Sequence, residues 1–194
     1  MNRCVWCLNT ESMQNYHDTE WGVPLTDDLK LFEFILLDGF QAGLSWQTII
    51  NKRDNFRIAF DNFNPEIIIS YDEQKIEELM NNAGIIRNRS KINSAVINSQ
   101  KYFEVQQEFG TFAKYIWQFT DHKIINNEYR IGNGIPTRSI ESDNMSKDLK
   151  KRGFKFVGTT ICYAFMQAAG MINDHEIDCF RYSEIVELSK NLSF

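Results

Sequence analysis

Apolar residues recur at intervals of three and four positions along most of the chain, which is the spacing of one face of an α-helix. Leu29, Phe32 and Leu36 form the first such face, and the polar stretch from Thr26 predicts its start. Gly39 predicts its end, because glycine commonly closes a helix. Strand-like alternation is absent, so the pattern predicts an all-α fold. Further helix starts are predicted at Ser45, Asn64-Pro65, Ser70, Asn88 and Ser146, and a last helix end at Gly170.

Residues 121–145 interrupt this helical pattern with glycine, proline and polar residues, including Gly132, Gly134 and Pro136. We expect them to form an irregular strap over the surface. The chain has 194 residues, of which 43% are hydrophobic, enough for one domain that spans residues 1–194. We expect two helical lobes around a shared cleft. No apolar run approaches the roughly 18 residues that cross a bilayer, so no membrane partner is expected.

The chain is acidic overall but basic in one short segment. A net charge of −5 and a pI near 5.3 argue against a broadly basic coat for nucleic acid. The basic segment enters a glycine turn at residues 153–160, and backbone N–H groups at a helix start can hold a phosphate. A solvated helix face is the ordinary explanation of such a run, and both interpretations stay open. The cationic residues are Lys147, Lys150, Lys151, Arg152 and Lys155.

Cysteine and histidine are concentrated at the two ends of the chain, as Cys4 and His17 and as His175 and Cys179. Four sulfur and nitrogen ligands suit a tetrahedral zinc ion of structural type, because no position stays open for water. Cys7 is an alternative ligand to Cys4, and unrelated buried thiols with surface imidazoles are the ordinary explanation. A disulfide is disfavoured because the N-terminus does not resemble a signal peptide, which indicates a cytoplasmic protein.

Several longer blocks have an unusual composition. They are YHDTEWGVP at 16–24, QAGLSW at 41–46, AGIIR at 83–87, KKRGFKFVGTT at 150–160, and CY, FMQ and NDH between 162 and 175. Together with the terminal cysteines these blocks extend over nearly the whole chain. In them the sequence resembles the 3-methyladenine DNA glycosylase I family of bacterial alkylation-repair enzymes.

The resemblance implies an all-α helix–hairpin–helix architecture in which one structural Zn²⁺ joins the N- and C-terminal segments. The implied reaction is monofunctional hydrolysis of the N-glycosidic bond of 3-methyladenine in duplex DNA, without lyase chemistry. A monomer in the bacterial cytoplasm, associated with the nucleoid through DNA, is the implied state. The implied zinc ligands are Cys4, His17, His175 and Cys179, which leaves Cys7 outside the shell and Cys162 in the core. His122, in the irregular strap, matches nothing in the family, and we expect it on the surface.

For the lesion pocket, the resemblance implies that the flipped base stacks on Trp46 and forms a hydrogen bond with Tyr16. Trp6 and Trp21 complete the aromatic lining, although packing beside the zinc segment explains Trp21 equally well. Asp38 occupies the position at which the family has a glutamate that reads the purine edge, so its arm is one methylene shorter. We expect Asp38 to be the pocket carboxylate, and its shorter arm leaves lesion specificity open.

DNA contacts are expected at two turns. Gly43 and Leu44 lie between the pocket helices, where a wedge can enter the base stack. A loop glycine beside an ordinary apolar residue is the alternative. Lys155, Gly158 and Thr159 lie in the second turn, where a lysine and free backbone N–H groups suit a phosphate.

Two other functions stay open on the sequence alone. One is a zinc hydrolase in which Glu20 or Glu176 acts as general base beside a metal-bound water, which requires an open coordination position. The other is a nucleic-acid-binding protein with a glycosylase-like fold whose lesion specificity is altered because of Asp38. Neither Asp174 nor Asp178 is expected to be catalytic, since the resembling family has no such aspartate.

Overall fold

The computed structural model describes residues 2–130 and 134–192, and α-helices form most of this part of the chain. Two strands of two residues each form one parallel pair. The mostly helical architecture confirms the all-α prediction in its main feature. The helices are α1 Glu11–Thr19, α2 Asp28–Gln41, α3 Trp46–Ala59, α4 Pro65–Ile68, α5 Glu73–Asn81, α6 Arg89–Phe109, α7 Phe112–Trp117, α8 Ile140–Arg152, α9 Thr159–Ala168 and α10 Phe180–Leu188, and the strands are β1 Ile125–Asn126 and β2 Ile172–Asn173.

Three of the predicted helix starts are confirmed by their capping hydrogen bonds. The hydroxyl of Ser45 accepts from the backbone N–H of Thr48 at 3.2 Å, at the start of α3. Asn64 caps α4, with Pro65 in the first helical position, where its missing N–H leaves no bond unmade. Asn88 caps α6 in the same way. Side-chain oxygens at these positions satisfy N–H groups that the helix itself leaves free.

Two other predicted starts are wrong by one or two residues. Asp27, and not Thr26, caps α2, and its carboxylate accepts from the N–H of Lys30 at 2.9 Å. Asp72, and not Ser70, caps α5, while the Ser70 hydroxyl donates to the carbonyl of Ile67 and closes the preceding turn. In a run of several polar residues more than one can cap, and tertiary packing decides which one does.

Gly39 was predicted to end a helix and Ser146 to start one, but both lie inside helices. Helix α2 continues through Gly39 to Gln41. A Cβ atom at Gly39 would lie 3.3 Å from the Cβ of Phe156, so glycine here permits close packing and does not end the helix. Ser146 is buried within α8, and its hydroxyl donates to the carbonyl of Val157 at 2.7 Å.

The irregular strap is shorter than the predicted 121–145, because residues 140–145 belong to α8. Ser139 caps this helix reciprocally: its hydroxyl accepts from the N–H of Ser142, and the Ser142 hydroxyl accepts from the N–H of Ser139. Before that point the strap contains β1, which pairs with β2 through Ile125 and Ile172. The strap therefore runs beside the segment that follows α9, and Gly132 lies outside the described residues.

Helix α2 lies at the centre of the hydrophobic core and contacts α3, α6, α7 and α9. Every residue from Phe34 to Phe40 is buried, so the second half of the helix has no solvent-facing side. At its other end the carboxylate of Asp28 accepts from the N–H groups of Phe112 and Ala113, at 2.9 and 2.8 Å, and thereby caps α7. Helix α2 thus sets the positions of its neighbours and carries one carboxylate, Asp38, into the core.

Among the described residues, no helix combines the length and the apolar character that a membrane span requires.

The fold predicts a marked difference between two glycines that both have positive φ. A Cβ at Gly170 would lie 2.4 Å from the carbonyl carbon and oxygen of Val23, whereas a Cβ at Gly110 meets open space. We expect Gly110→Ala to lower the free energy of unfolding by about 1 kcal/mol through backbone strain alone. Gly170→Ala should lower it by at least about 2 kcal/mol more, because backbone atoms have to move. Urea unfolding of both variants tests this difference, and equal losses would contradict it.

Candidate functional site

A cavity of about 300 Å³ opens between α1, α2, α3 and α9, which is large enough for a small flat ligand. The five residues predicted for the pocket all line it. They are Trp6, Tyr16, Trp21, Asp38 and Trp46, and the other lining residues are Met13, Gln41, Ile135, Thr137, Ala164, Gln167 and Ala168.

Helix geometry explains why these side chains converge. Tyr16 lies on the buried face of α1, and Asp38 on the buried second half of α2. Trp46 is the first residue of α3, directly after the Ser45 cap, so its ring projects from a fixed helix end. The Tyr16 and Trp46 rings lie 5.5 Å apart between centroids, and those of Trp6 and Trp21 lie 4.8 Å apart, nearly perpendicular. The cavity therefore has aromatic walls that are held by ring contacts.

Three buried polar atoms of the pocket residues lack a hydrogen-bond partner among the described residues. They are one carboxylate oxygen of Asp38 and the indole Nε1 atoms of Trp6 and Trp46. Buried polar groups in folded proteins are nearly always paired, since an unpaired one loses its hydration without compensation. Three unpaired atoms from residues that line one cavity indicate that a ligand or water supplies the partners. The set offers two donors and one acceptor.

Burial controls the protonation of the pocket. Burial raises the pKa of Asp38 well above its usual range, and the side chain is 1% exposed. Burial also raises the pKa of Tyr16, and the nearby Asp38 carboxylate raises it further. Tyr16 is therefore a neutral phenol, and ionisation of Asp38 is unfavourable in the empty pocket. A positive charge in the pocket would reverse that preference.

The second feature of the site is a cluster formed by both ends of the chain. Cys4, His17, His175 and Cys179 are all buried, and their potential ligand atoms lie within 4.8 Å of one another. Cys179 Sγ lies 3.4 Å from His17 Nε2 and 3.8 Å from His175 Nδ1, while Cys4 Sγ lies 3.5 Å from His175 Nδ1. Ligands on a tetrahedral zinc ion are separated by about 3.3–3.8 Å. The residues present can hold a metal of that size.

Surrounding groups orient the four ligands. The His17 Nδ1 lies 2.8 Å from Asp18, which also accepts from Arg3, so the Nε2 of His17 faces the cluster. His175 directs Nε2 to the carbonyl of Trp21 at 3.0 Å and Nδ1 to the cluster. Interaction between the two neighbouring thiols raises the pKa of Cys4 and lowers that of Cys179, which favours one thiolate. Such outer contacts set the tautomers that metal binding requires.

The cluster and the pocket share parts of the backbone. Tyr16 and His17 are neighbours in α1, and one lines the cavity while the other faces the cluster. Trp21 contributes its ring to the cavity and its carbonyl to His175. Gly22 has φ of +79°, and a Cβ there would lie 2.9 Å from Nε2 of His175. Trp21 therefore both packs beside the cysteine–histidine cluster and lines the pocket.

The remaining cysteines and histidine lie where the sequence placed them. Cys7 is buried but outside the cluster, and its thiol donates to the carbonyl of Cys4 at 3.1 Å. Cys162 lies in the hydrophobic core, and His122 is exposed. Asp174 is buried, and its carboxylate accepts hydrogen bonds from three side chains, which gives it a structural role. The donors are Asn127, Tyr163 and Gln167. Asp178 is exposed.

Both predicted DNA-contacting turns are at the surface. Gly43 and Leu44 are exposed, with Leu44 at 41%. In the α8–α9 turn, defined as residues 153–158, Lys155 is exposed and Gly158 precedes α9 without a side-chain cap. The first N–H groups of α9 therefore lack the usual capping oxygen. The hydroxyl of Thr159 donates to Asp143, so only the backbone of Thr159 is available for a ligand.

Arg152 lies in the predicted basic segment, but its side chain is engaged by neighbouring residues of the protein. Its guanidinium pairs with Glu108 and Asp148 and lies over the rings of Phe109 and Tyr115. This residue therefore stabilises the packing of α8 on α6 and α7. The exposed cations of the segment are Lys147, Lys150, Lys151 and Lys155.

The geometry argues against the zinc-hydrolase alternative. Glu20 forms a bidentate ion pair with Arg53 at 2.6 and 2.7 Å, and Glu176 accepts from the N–H of Val5 at 3.3 Å. With two cysteines and two histidines around one point, a tetrahedral ion has no position open for a reactive water. The cluster fits a structural metal.

Several lining residues were not predicted as pocket residues. Ala164, Gln167 and Ala168 lie on one face of α9, at the spacing that also describes a core-facing helix. Gln167 donates to Asp174 at 2.7 Å, which fixes its amide at the cavity wall. Thr137 reaches the cavity from the strap, and no local pattern marks it. Periodicity identifies the buried face of a helix but not the part of that face that adjoins a cavity.

Comparison with known proteins gives consistent results. The family model described as methyladenine glycosylase matches residues 6–182. DNA-3-methyladenine glycosylase 1 of Escherichia coli K12 is 47% identical over 182 residues, covering 94% of this chain and 97% of that protein. A crystal structure of 3-methyladenine DNA glycosylase I superimposes with a TM-score of 0.89 at 47% identity, covering 92% of this chain and 98% of that one. A structure concerning 3-methyladenine recognition by the Staphylococcus aureus enzyme gives 0.90 at 35% identity, with 94% and 97% covered.

The buried carboxylate predicts a characteristic pH dependence of stability. The folded-state pKa of Asp38 is raised, so its stabilising contribution is complete below pH 4 and is lost as pH rises towards the folded pKa. Asp38→Asn cannot ionise, so its stability relative to the unmodified protein should increase by about 1.4 kcal/mol per pH unit over that interval. Urea unfolding at about pH 4.5, 6 and 7.5 measures this difference. Asp121→Asn, at an exposed carboxylate, is the control and should show no such trend.

Proposed function

We propose that this chain, which belongs to the methyladenine glycosylase family, hydrolyses the N-glycosidic bond of 3-methyladenine in alkylated DNA. The observation that carries the proposal is the aromatic cavity with an unpaired carboxylate at its wall. Such a cavity suits a flat, cationic base. The enzymatic activity that the relatives' names describe requires a pocket of this kind.

The chemistry of the lesion explains why the pocket has little acid–base machinery. Methylation at N3 places a positive charge on the purine, which makes the base a good leaving group without protonation. The bond is inaccessible in stacked duplex DNA, so the nucleotide has to turn out of the helix and into the cavity. The enzyme's main task is then to hold the extruded base and admit water.

Each pocket residue has a role that follows from its surroundings. Trp46 stacks on the base, and its electron-rich face attracts the cation. Asp38 accepts from the base edge and gains a counter-charge that compensates its buried ionisation. Tyr16, a neutral phenol, forms a hydrogen bond with the base, while Trp6 and Trp21 close the aromatic wall. Among the described residues no lysine lines the cavity, which supports hydrolysis by water without a Schiff-base lyase step.

DNA binding is proposed at the two exposed turns. Leu44, beside Gly43, enters the gap that the extruded nucleotide leaves in the base stack. The α8–α9 turn binds a backbone phosphate through Lys155 and through the N–H groups that follow Gly158, as in a helix–hairpin–helix motif. The N–H of Thr159 belongs to this group. Because contact is confined to these turns, an acidic chain can still bind DNA locally.

The metal proposed for the terminal cluster is a single structural Zn²⁺. Two thiolates and two imidazoles at tetrahedral spacing match its preferred ligands, and the closed set leaves the ion no catalytic role. The ion would hold residues 4–17 against the segment after α9 and so fix α1, which carries Tyr16. We further propose a monomer that acts on chromosomal DNA in the bacterial cytoplasm, in keeping with the bacterial source of the E. coli relative.

The proposed activity predicts release of free 3-methyladenine from methylated duplex DNA, measured by chromatography. Trp46→Ala should lower kcat/KM by about 10- to 100-fold, since stacking of one base contributes roughly 1–3 kcal/mol. Trp46→Phe should lose less because it keeps an aromatic face. Absence of release by the unmodified protein would contradict the proposed activity.

Asp38→Glu in the same assay examines the shorter carboxylate. If the aspartate is accommodated, as we propose, both forms release 3-methyladenine. An inert unmodified protein that gains activity with Asp38→Glu would instead support a glycosylase-like protein with a different lesion. Comparable inactivity of both forms would favour a DNA-binding protein without excision.

A separate prediction concerns the metal. Elemental analysis should find one zinc per chain, and Cys179→Ser should lose it and unfold at a markedly lower temperature, because metal binding contributes several kcal/mol, on the order of 3 or more, to folding. Cys7→Ser is the matched control, since Cys7 is buried beside the cluster but outside it, and it should retain the zinc. Loss of zinc from Cys7→Ser, or its retention in Cys179→Ser, would contradict the ligand assignment.

A further inference from the structure

Two buried polar side chains of α6 each hold the backbone of a loop in another part of the chain. Lys91 is 6% exposed, and its ammonium donates to the carbonyls of Phe40 and Ala42 at 2.9 and 2.6 Å. Asn98 is 2% exposed, and its side-chain amide forms hydrogen bonds with both the N–H and the carbonyl of Lys155. Neither residue lines the pocket or belongs to the metal cluster.

Lys91 caps the end of α2 from outside the helix. The last carbonyls of a helix have no partner within it, and a cation is favoured there by the helix dipole. Burial lowers the pKa of Lys91, so the two carbonyls have to offset the loss of water around the ammonium. Ala42 is followed by Gly43 and Leu44, which form the exposed tip of the loop between α2 and α3. Lys91 therefore fixes the base of the proposed wedge loop.

Asn98 holds the α8–α9 turn by a pair of hydrogen bonds. Its Oδ1 accepts from the N–H of Lys155 at 2.8 Å, and its Nδ2 donates to the carbonyl of Lys155 at 3.1 Å. The following residue, Phe156, has a positive φ of 55°, a backbone conformation that residues other than glycine adopt at some cost in energy. The amide of Asn98 thus supports a turn whose own backbone is strained.

The two holding residues lie on the same side of one rigid helix. They are seven positions apart, which is nearly two turns of α-helix and about 10 Å along its axis. The loop and the turn also meet through α2, because Gly39 approaches Phe156 closely enough that an added Cβ would lie 3.3 Å from it. Helix α6, the end of α2 and the α8–α9 turn therefore form one connected unit.

We propose that Lys91 and Asn98 are positioning residues that keep the loop carrying Leu44 and the turn carrying Lys155 at a fixed separation along one face of α6. The inference rests on the proposed function, in which the loop enters the base stack and the turn binds a phosphate. Duplex DNA offers these two targets at a distance set by its own geometry. A displacement of about 1 Å at either turn would therefore lower excision up to about 100-fold, although the pocket is intact.

The test separates excision from duplex DNA from binding of the free base. Lys91→Met and Asn98→Leu should each lower kcat/KM on methylated duplex by at least about tenfold. The dissociation constant for free 3-methyladenine, measured by quenching of tryptophan fluorescence, should change by less than about twofold, because the free base needs only the pocket. Equal losses in both measurements would overturn the proposal, since a general weakening of the fold affects both.

Two further variants distinguish the positioning role from a general effect on folding or charge. Asn98→Asp keeps the acceptor for the N–H of Lys155 but loses the donor to its carbonyl, so its loss of excision should be intermediate. Lys114→Met removes an exposed lysine of α7 and is the control for the charge change, with excision unchanged. A loss of excision in Lys114→Met as large as in Lys91→Met would overturn the proposal, because the change in net charge alone would then explain the loss.

A double-mutant cycle identifies the loop through which Lys91 acts. In a Leu44→Ala background, Lys91→Met should lower excision by less than it does alone, since the wedge it positions is already absent. Full additivity would overturn this route. The two hypotheses fail separately. An unmodified protein that excises 3-methyladenine while its Lys91 and Asn98 variants match it refutes only the positioning role, whereas an unmodified protein without excision refutes the proposed function and the inference with it.

Discussion

The burial of helix α2 is the constraint on which the rest of the structure depends. Its second half is surrounded by α3, α6, α7 and α9, so the neighbouring helices take their positions from its surface. Asp38 is the one acidic side chain in this second half of α2, and one of its oxygens has no partner among the described residues. A buried and unpaired carboxylate destabilises a fold, so its presence at the cavity wall is best explained by a ligand that compensates it.

The two ends of the chain complete the pocket from the opposite side. The cluster of Cys4, His17, His175 and Cys179 brings α1 and the segment after α9 together, and α1 carries Tyr16 beside His17. Trp21 connects the two features directly, through its ring and its carbonyl. The pocket therefore depends on long-range contacts between sequence positions that are more than 150 residues apart.

Local chemistry predicted a large part of this architecture. The caps at Ser45 and Asn64 were predictable because each is an isolated polar residue at the start of a helix, and the cap at Asn88 because a periodic apolar stretch follows it. The pairing of β1 with β2 was not, because its partners lie 47 residues apart and each strand has only two residues. In the site, unusual residue types such as tryptophan and cysteine were found, whereas Gln167 was not. Its role depends on the shape of the cavity, which no local pattern contains.

Under the proposed function, selectivity for a cationic base follows from the burial of Asp38. Unmodified adenine is neutral and brings no charge to offset the ionised Asp38, so the desolvation of that carboxylate stays uncompensated. A 3-methylated adenine brings a positive charge between the carboxylate and the Trp46 face, and both attractions are strengthened by the low polarity of the cavity. Under the proposed function, the protein therefore distinguishes damaged from normal bases by charge as well as shape. The shorter arm of Asp38 alters the reach of the carboxylate but not this electrostatic difference.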